Sequence, residues 1–64
     1  MRPYKSQRSI IESAYVGAKD ISIIMEFGNE KNEREFSGSF IAEFKIRNHK
    51  KRVCVEDNSI VKVF

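Results

Sequence analysis

The run Phe36-Ser37-Gly38-Ser39-Phe40-Ile41-Ala42-Glu43-Phe44-Lys45-Ile46-Arg47 decides how this chain folds. Read as an extended strand, Phe36, Gly38, Phe40, Ala42, Phe44 and Ile46 share one face. Ser37, Ser39, Ile41, Glu43, Lys45 and Arg47 share the other. Twelve residues exceed the ordinary strand of about five or six. A glycine inside a strand marks a sharp bend or a close approach of two backbones. The run is expected to bend or break near Ala42-Glu43, giving two strands.

On the C-terminal side, Asn48-His49-Lys50-Lys51 reads as a turn, and residues 52–56 and 60–64 read as closing strands around a polar turn. The last strand is apolar on both faces, with Val61 and Val63 pointing one way and Ile60 and Phe64 the other. Such a strand calls for cover on both sides. On the N-terminal side, residues 20–27 alternate, with Ile21, Ile23, Met25 and Phe27 on one face and Ser22, Ile24 and Glu26 on the other. Gly28-Asn29 opens a turn, and residues 29–35 form a charged loop. Residues 9–16 fit a short amphipathic helix better than a strand. Ser9 and Glu12 have capping-box spacing, Ile10, Ile11, Ala14 and Tyr15 recur at helical spacing, and Gly17 follows as a stop. Residues 1–8 hold the one proline and no apolar periodicity, and read as a flexible basic head. The expected architecture is mostly β: a short helix, then a small, strongly bent five-stranded antiparallel barrel over residues 9–64.

Sixty-four residues make one domain. A chain this short buries only about 60% of its unfolded surface. Ordering it costs on the order of 100 kcal/mol, which apolar burial barely offsets. One cysteine, Cys54, excludes an internal disulfide, and one histidine, His49, leaves no Cys/His set for a structural metal. No cofactor is implied. Oligomerisation is the remaining means of support, and a homo-oligomer is expected. The lone cysteine and the lack of an apolar leader or membrane-length run point to a cytoplasmic protein with no membrane contact.

The net charge is +3 and it is unevenly placed. Arg2, Lys5 and Arg8 make a basic head. Lys45, Arg47, Lys50, Lys51 and Arg52 make a second cluster, and Glu26, Glu30, Glu33 and Glu35 lie between the two. Two basic regions suit an anionic partner such as RNA or another nucleic acid; they also suit a merely solvated surface. The candidate contact residues are Arg47, Asn48, His49, Lys50, Lys51 and Arg52, with Lys5 and Arg8. Lysine and arginine neutralise phosphates, while asparagine and histidine hydrogen-bond bases or sugars. Tyr4 reads either as a base-stacking residue or as part of a frayed terminus. The carboxylates show no catalytic spacing. Cys54 and His49 lack a third, orienting group, so no enzymatic role is expected.

Three segments resemble the Sm-like family, which includes the Lsm proteins and the bacterial host factor Hfq. Ile21-Ser22-Ile23-Ile24-Met25-Glu26-Phe27-Gly28 is similar to that family's first strand and its following glycine. Phe36-Ser37-Gly38-Ser39-Phe40 resembles its second strand. Val55-Glu56-Asp57-Asn58-Ser59-Ile60-Val61-Lys62-Val63 resembles its second motif. Where the Lsm pattern has Arg-Gly, this chain has Glu56-Asp57, which would repel phosphate. The resemblance implies a ring in which the last strand, through Ile60, Val61, Val63 and Phe64, pairs with a neighbouring subunit. An SH3-like barrel is the related alternative. Two functions follow as expectations: an RNA-chaperone-like nucleic-acid-binding oligomer, or a regulatory module that captures a protein partner through its C-terminal edge strand.

Overall fold

The computed structural model describes residues 3–64. Helix α1 spans Lys5–Ala14, followed by strands β1 Lys19–Glu30, β2 Phe36–Ile46, β3 His49–Glu56 and β4 Ser59–Val63. The strands form one antiparallel sheet in the order β1-β2-β3-β4. The sheet is open, with β1 and β4 at its edges. The mostly β architecture with one short helix is as expected, but the antiparallel sheet has four strands and is not closed, which corrects the expected five-stranded barrel. The Phe36–Arg47 run does not break at Ala42-Glu43. Its pairing with β3 continues without a shift from Ser39 opposite Glu56 to Ile46 opposite His49.

Gly38 marks a close backbone approach instead. Gly28 and Gly38 stand directly opposite each other on β1 and β2, with φ of 126° and 121°. A Cβ on Gly28 would lie 1.9 Å from the Ser37 carbonyl oxygen, and one on Gly38 would lie 2.0 Å from that of Phe27. The two backbones therefore approach so closely that no side chain fits between them.

Two-residue turns join β2 to β3 and β3 to β4. Arg47 and Asn48 have φ of 52° and 65°, and Asp57 and Asn58 have φ of 49° and 65°. Positive φ at both central positions is the type I′ geometry, whose twist matches that of the strands it connects. The first turn is shorter than expected, so His49, Lys50 and Lys51 belong to β3.

Helix α1 begins four residues before Ser9, so Lys5–Arg8, read as a loose head, form its first turn. Arg2 lies outside the described residues. The cap is not Ser9 with Glu12. Gln7 Oε1 accepts the Tyr4 N–H at 2.9 Å, and a carboxylate oxygen of Glu30 accepts the Ser6 N–H at 2.9 Å. A carboxylate from β1 thus satisfies a free donor at the helix N-terminus and complements its dipole. Gln7 Nε2 also donates to Glu26 Oε2 at 2.6 Å. Gln7 and Ser6 are fully buried.

These contacts require Glu26 to face the helix, against the expected alternation. Ile23 pairs with Ala42, but Met25 pairs with Ile41, so Ile24 is an extra residue in β1. A bulge of this kind shifts the strand's phase by one residue. Ile23 therefore points into the core, as expected, while Met25 and Phe27 turn to the opposite face. Met25 is 45% exposed and Phe27 68%.

The core lies between α1 and the inner face of the sheet. It contains Ile11, Ile23, Phe36, Phe40, Ala42, Phe44, Val53 and Val55. Tyr15 closes one end against Phe44, with ring centroids 5.1 Å apart, and Phe36 meets Phe40 edge-on at 5.3 Å. The outer face of the sheet has no layer on it among the described residues. No helix there is long and apolar enough to cross a membrane.

The two I′ turns provide a paired test. Asn48 and Asn58 occupy the same turn position with the same φ of 65°, which glycine also adopts. Asn58 Oδ1, however, accepts the Phe36 N–H at 2.7 Å. In urea unfolding, Asn48→Gly is expected to stay within about 0.5 kcal/mol of the parent. Asn58→Gly is expected to lose about 1–2 kcal/mol, because the Phe36 N–H is left without its partner. Equal shifts for the two variants would refute the role given to Asn58.

Candidate nucleic-acid interface

Strand alternation divides the basic cluster between two faces. Arg52 and Lys50 stand opposite Glu43 and Lys45 on the outer face. Lys51 lies on the inner side, with its Nζ 5.7 Å from the Tyr15 ring centroid, a cation–π contact. His49 shares the inner parity of Lys51, at the sheet end and exposed. Arg47 and Asn48 form the exposed hairpin tip. The six candidate residues at 47–52 therefore do not form one surface.

The outer face gains a residue that sequence reasoning missed. Lys19 of β1 pairs with Lys45 of β2, which pairs with Lys50 of β3. Three exposed lysines thus form one row across three adjacent strands. Like charges directly opposite one another destabilise a sheet. The next row holds Ser22, Glu43 and Arg52. Arg52 donates to Glu43 Oε2 from Nε at 3.3 Å and from Nη2 at 2.9 Å, and Lys50 Nζ lies 3.6 Å from Glu43 Oε1. Glu43 thus partly neutralises two of the cations.

Lys5 and Arg8 are not brought to this surface. Both lie on the first turns of α1, across the inner side of the sheet; Arg8 lines a depression with Glu12, Ala18, Asp20 and Ile21. Lys5 is ion-paired with Glu33 at 3.6 Å, both side chains being largely exposed. The resulting charge distribution is polar along the strands. At the hairpin end, Lys19, Lys45, Arg47, Lys50, Lys51 and Arg52 outnumber the nearby carboxylates Asp20 and Glu43, with Glu12 of α1 beside Asp20. At the other end carboxylates predominate. Glu56 and Asp57 belong to that acidic end, beside the second I′ turn.

Beyond the two polar rows, the outer face becomes apolar. Met25, Ile41 and Cys54 form the third row, with Lys62 of β4 beside them. Phe27 and Ser39 follow, with Glu56 next across β3. Met25, Phe27, Ser39, Ile41 and Cys54 line a shallow depression of about 190 Å³. Phe64 adds a second exposed ring, with Lys62 Nζ 5.0 Å from its centroid. Cys54 is partly buried on this face, whereas His49 is on the inner side of the same strand, about 16 Å away at ~3.3 Å per residue. The two do not form a nucleophile–base pair.

The proposed interface residues of β4 are also separated. Ile60 packs against the core, while Val61, Val63 and Phe64 are about half exposed along the sheet edge. Between this edge and α1 runs an open groove lined by Ser9, Ile10, Ser13, Ala14, Asn58 and Ile60. The chain matches no protein-family model, no curated protein and no solved structure.

The Arg52 hydrogen bond, with the charges of Lys50 and Arg52, holds the Glu43 carboxyl below the ordinary glutamate range, against opposition from partial desolvation. A lowered carboxyl pKa stabilises the fold above the unfolded pKa. That contribution is lost as pH falls through the folded value. In an NMR titration of the side-chain carboxyl carbon, Glu43 is expected to titrate below the usual glutamate midpoint. Arg52→Gln is expected to raise the midpoint. An ordinary midpoint in the parent protein would show that the Arg52 contact does not persist in solution.

Proposed function

We propose that this protein is a non-enzymatic nucleic-acid-binding module that engages phosphates through the basic end of its sheet. The Lys19–Lys45–Lys50 row carries the reading. Three lysines in register repel one another in the free protein, and a phosphate backbone laid across them relieves that repulsion. Arg47 at the hairpin tip extends the row, and Arg52 is held beside it by Glu43. Lys51 is directed to Tyr15 and contributes chiefly to the core rim. The acidic opposite end favours docking with the hairpin end toward a polyanion.

Binding to a labelled oligonucleotide is expected to weaken steeply with salt, because each phosphate contact releases condensed counterions. Lys45→Gln with Lys50→Gln is expected to flatten the log–log salt slope by about 1–2. Glu43→Gln is expected to strengthen binding by freeing Arg52 and Lys50. No measurable binding by the parent protein at low salt would refute the reading.

A second reading rests on β4. Its outer edge has no paired strand among the described residues, and it borders the groove beside α1. An exposed edge is a template for an added strand, and a second copy would cover Val61 and Val63. Light scattering is then expected to show association that Val61→Lys abolishes, since charge on an edge blocks pairing. A monomer at all accessible concentrations would exclude self-assembly, and with it the ring implied by the Sm-like resemblance.

A further inference from the structure

The apolar rows of the outer face remain unused by a purely electrostatic contact. We infer that this face, centred on Phe27, stacks bases of a single-stranded RNA that runs along the strands, with the phosphates of nucleotides a few positions away on the lysine row. The inference rests on the nucleic-acid reading above and specifies the strand state and the side of the sheet that is read.

Several observations converge on Phe27. Its ring is 68% exposed, on a paired stretch of β1 between the Ile24 bulge and Gly28, beside Met25 and Ile41. Exposed aromatic rings on a rigid sheet provide stacking platforms, because every base has a π-face. The spacing also suits a short strand. Phe27 pairs with Ser39, six residues along β2 from Lys45, or about 20 Å at ~3.3 Å per residue. A second exposed ring, Phe64, lies on the β4 side with Lys62 against it. Cations thus flank the apolar surface on two sides: Lys45 and Lys50 at the hairpin end, and Lys62 along β4. A protein partner of ordinary composition would need acidic groups around an apolar centre to match that rim. A polynucleotide supplies both the anionic backbone and the flat apolar groups in one repeating unit.

The polar residues next to Phe27 favour ribose. Ser39 stands opposite Phe27 and pairs across the other side with Glu56. A 2′-hydroxyl donates a hydrogen bond to either side chain, whereas deoxyribose has no donor at that position. Glu56 repels phosphate, which favours a backbone that crosses this row on the Ser39 side. Duplexes are disfavoured because their base faces are stacked internally and cannot reach the ring.

The test compares four probes with the full chain at one low salt concentration: a fluorescein-labelled oligo-adenylate of RNA, its deoxy counterpart, a duplex RNA of equal length, and polyphosphate. The expected order places single-stranded RNA first, above DNA, with duplex and polyphosphate weaker. Phe27→Ala is expected to reduce RNA affinity by about 5- to 100-fold and to leave polyphosphate unchanged. Because the ring is exposed, this variant is expected to fold, as circular dichroism will verify. The chain contains no tryptophan, so Phe27→Trp provides a single tryptophan at the site, excited selectively over the two tyrosines. It is expected to retain RNA binding and to lose emission when adenine stacks on it. If Phe27→Ala binds RNA as tightly as the parent, base stacking on this face is overturned and the charge reading survives. If RNA and DNA bind equally, the ribose contact is overturned. If none of the four probes binds, both readings are overturned.

Discussion

The extra residue at Ile24 is the constraint on which the rest of the structure depends. β1 must meet two demands from opposite sides. Its first half contributes Ile23 to the core. Its second half must present Glu26 and Glu30 to the helix N-terminus, where Gln7 and the Ser6 N–H need acceptors. Strict alternation cannot do both, because Ile23 and Glu26 are three residues apart. One inserted residue resolves the conflict. Buried amide and backbone donors cost about 1–3 kcal/mol each when unsatisfied, enough to set the phase of a strand against its own apolar alternation. The consequence appears on the other side of the sheet: the same slip turns Met25 and Phe27 outward.

Downstream, Gly28 and Gly38 let the β1 and β2 backbones approach closely. Both glycines occupy positions closed to a Cβ by the facing carbonyl. β2 continues unbroken through Ala42, where Ile23 and Val53 flank it on the neighbouring strands. A break at Ala42 would have interrupted the best-buried part of the sheet. The unshifted pairing of β2 with β3 keeps Phe36–Ile46 as one strand, so the sheet holds four strands.

Much of the fold is legible in the sequence, and what is hidden shares a physical character. The strands at residues 20–27, 52–56 and 60–64, and the helical tendency of Ile10, Ile11 and Ala14, follow from local periodicity. The Ile24 bulge does not, because Ile21, Ile23, Met25 and Phe27 alternate without a flaw. Only the distant Gln7 and Ser6 reveal that the alternation fails. The start of the helix was obscured in the same way, since its N-terminus is satisfied by Glu30, 24 residues away from Ser6. At the candidate interface, Lys45 through Arg52 announce their charge, but their division between two faces depends on the turn being only Arg47-Asn48. The inclusion of Lys19 depends on register, which no local pattern supplies. Lys5 and Arg8 looked like part of the same basic surface because charge alone carries no position.

The outer face joins these local outcomes into one electrostatic arrangement. Glu43 sits between the lysine row and the apolar rows, where it binds Arg52 directly and Lys50 at longer range. Without Glu43, Lys45, Lys50 and Arg52 would repel one another on two adjacent strands. With it, Arg52 is held against the sheet and the lysine row remains open toward the hairpin tip. A buried charge pair would need extensive desolvation, but this one is partly solvated and costs little to hold. The carboxylate therefore acts as a counterion that keeps the strands paired while Lys19, Lys45 and Arg47 remain available to an external anion. Under the proposed function, a polyanion attracted to the hairpin end and repelled from Glu56 and Asp57 would lie along the strands, across the face to which the Ile24 bulge adds Met25 and Phe27.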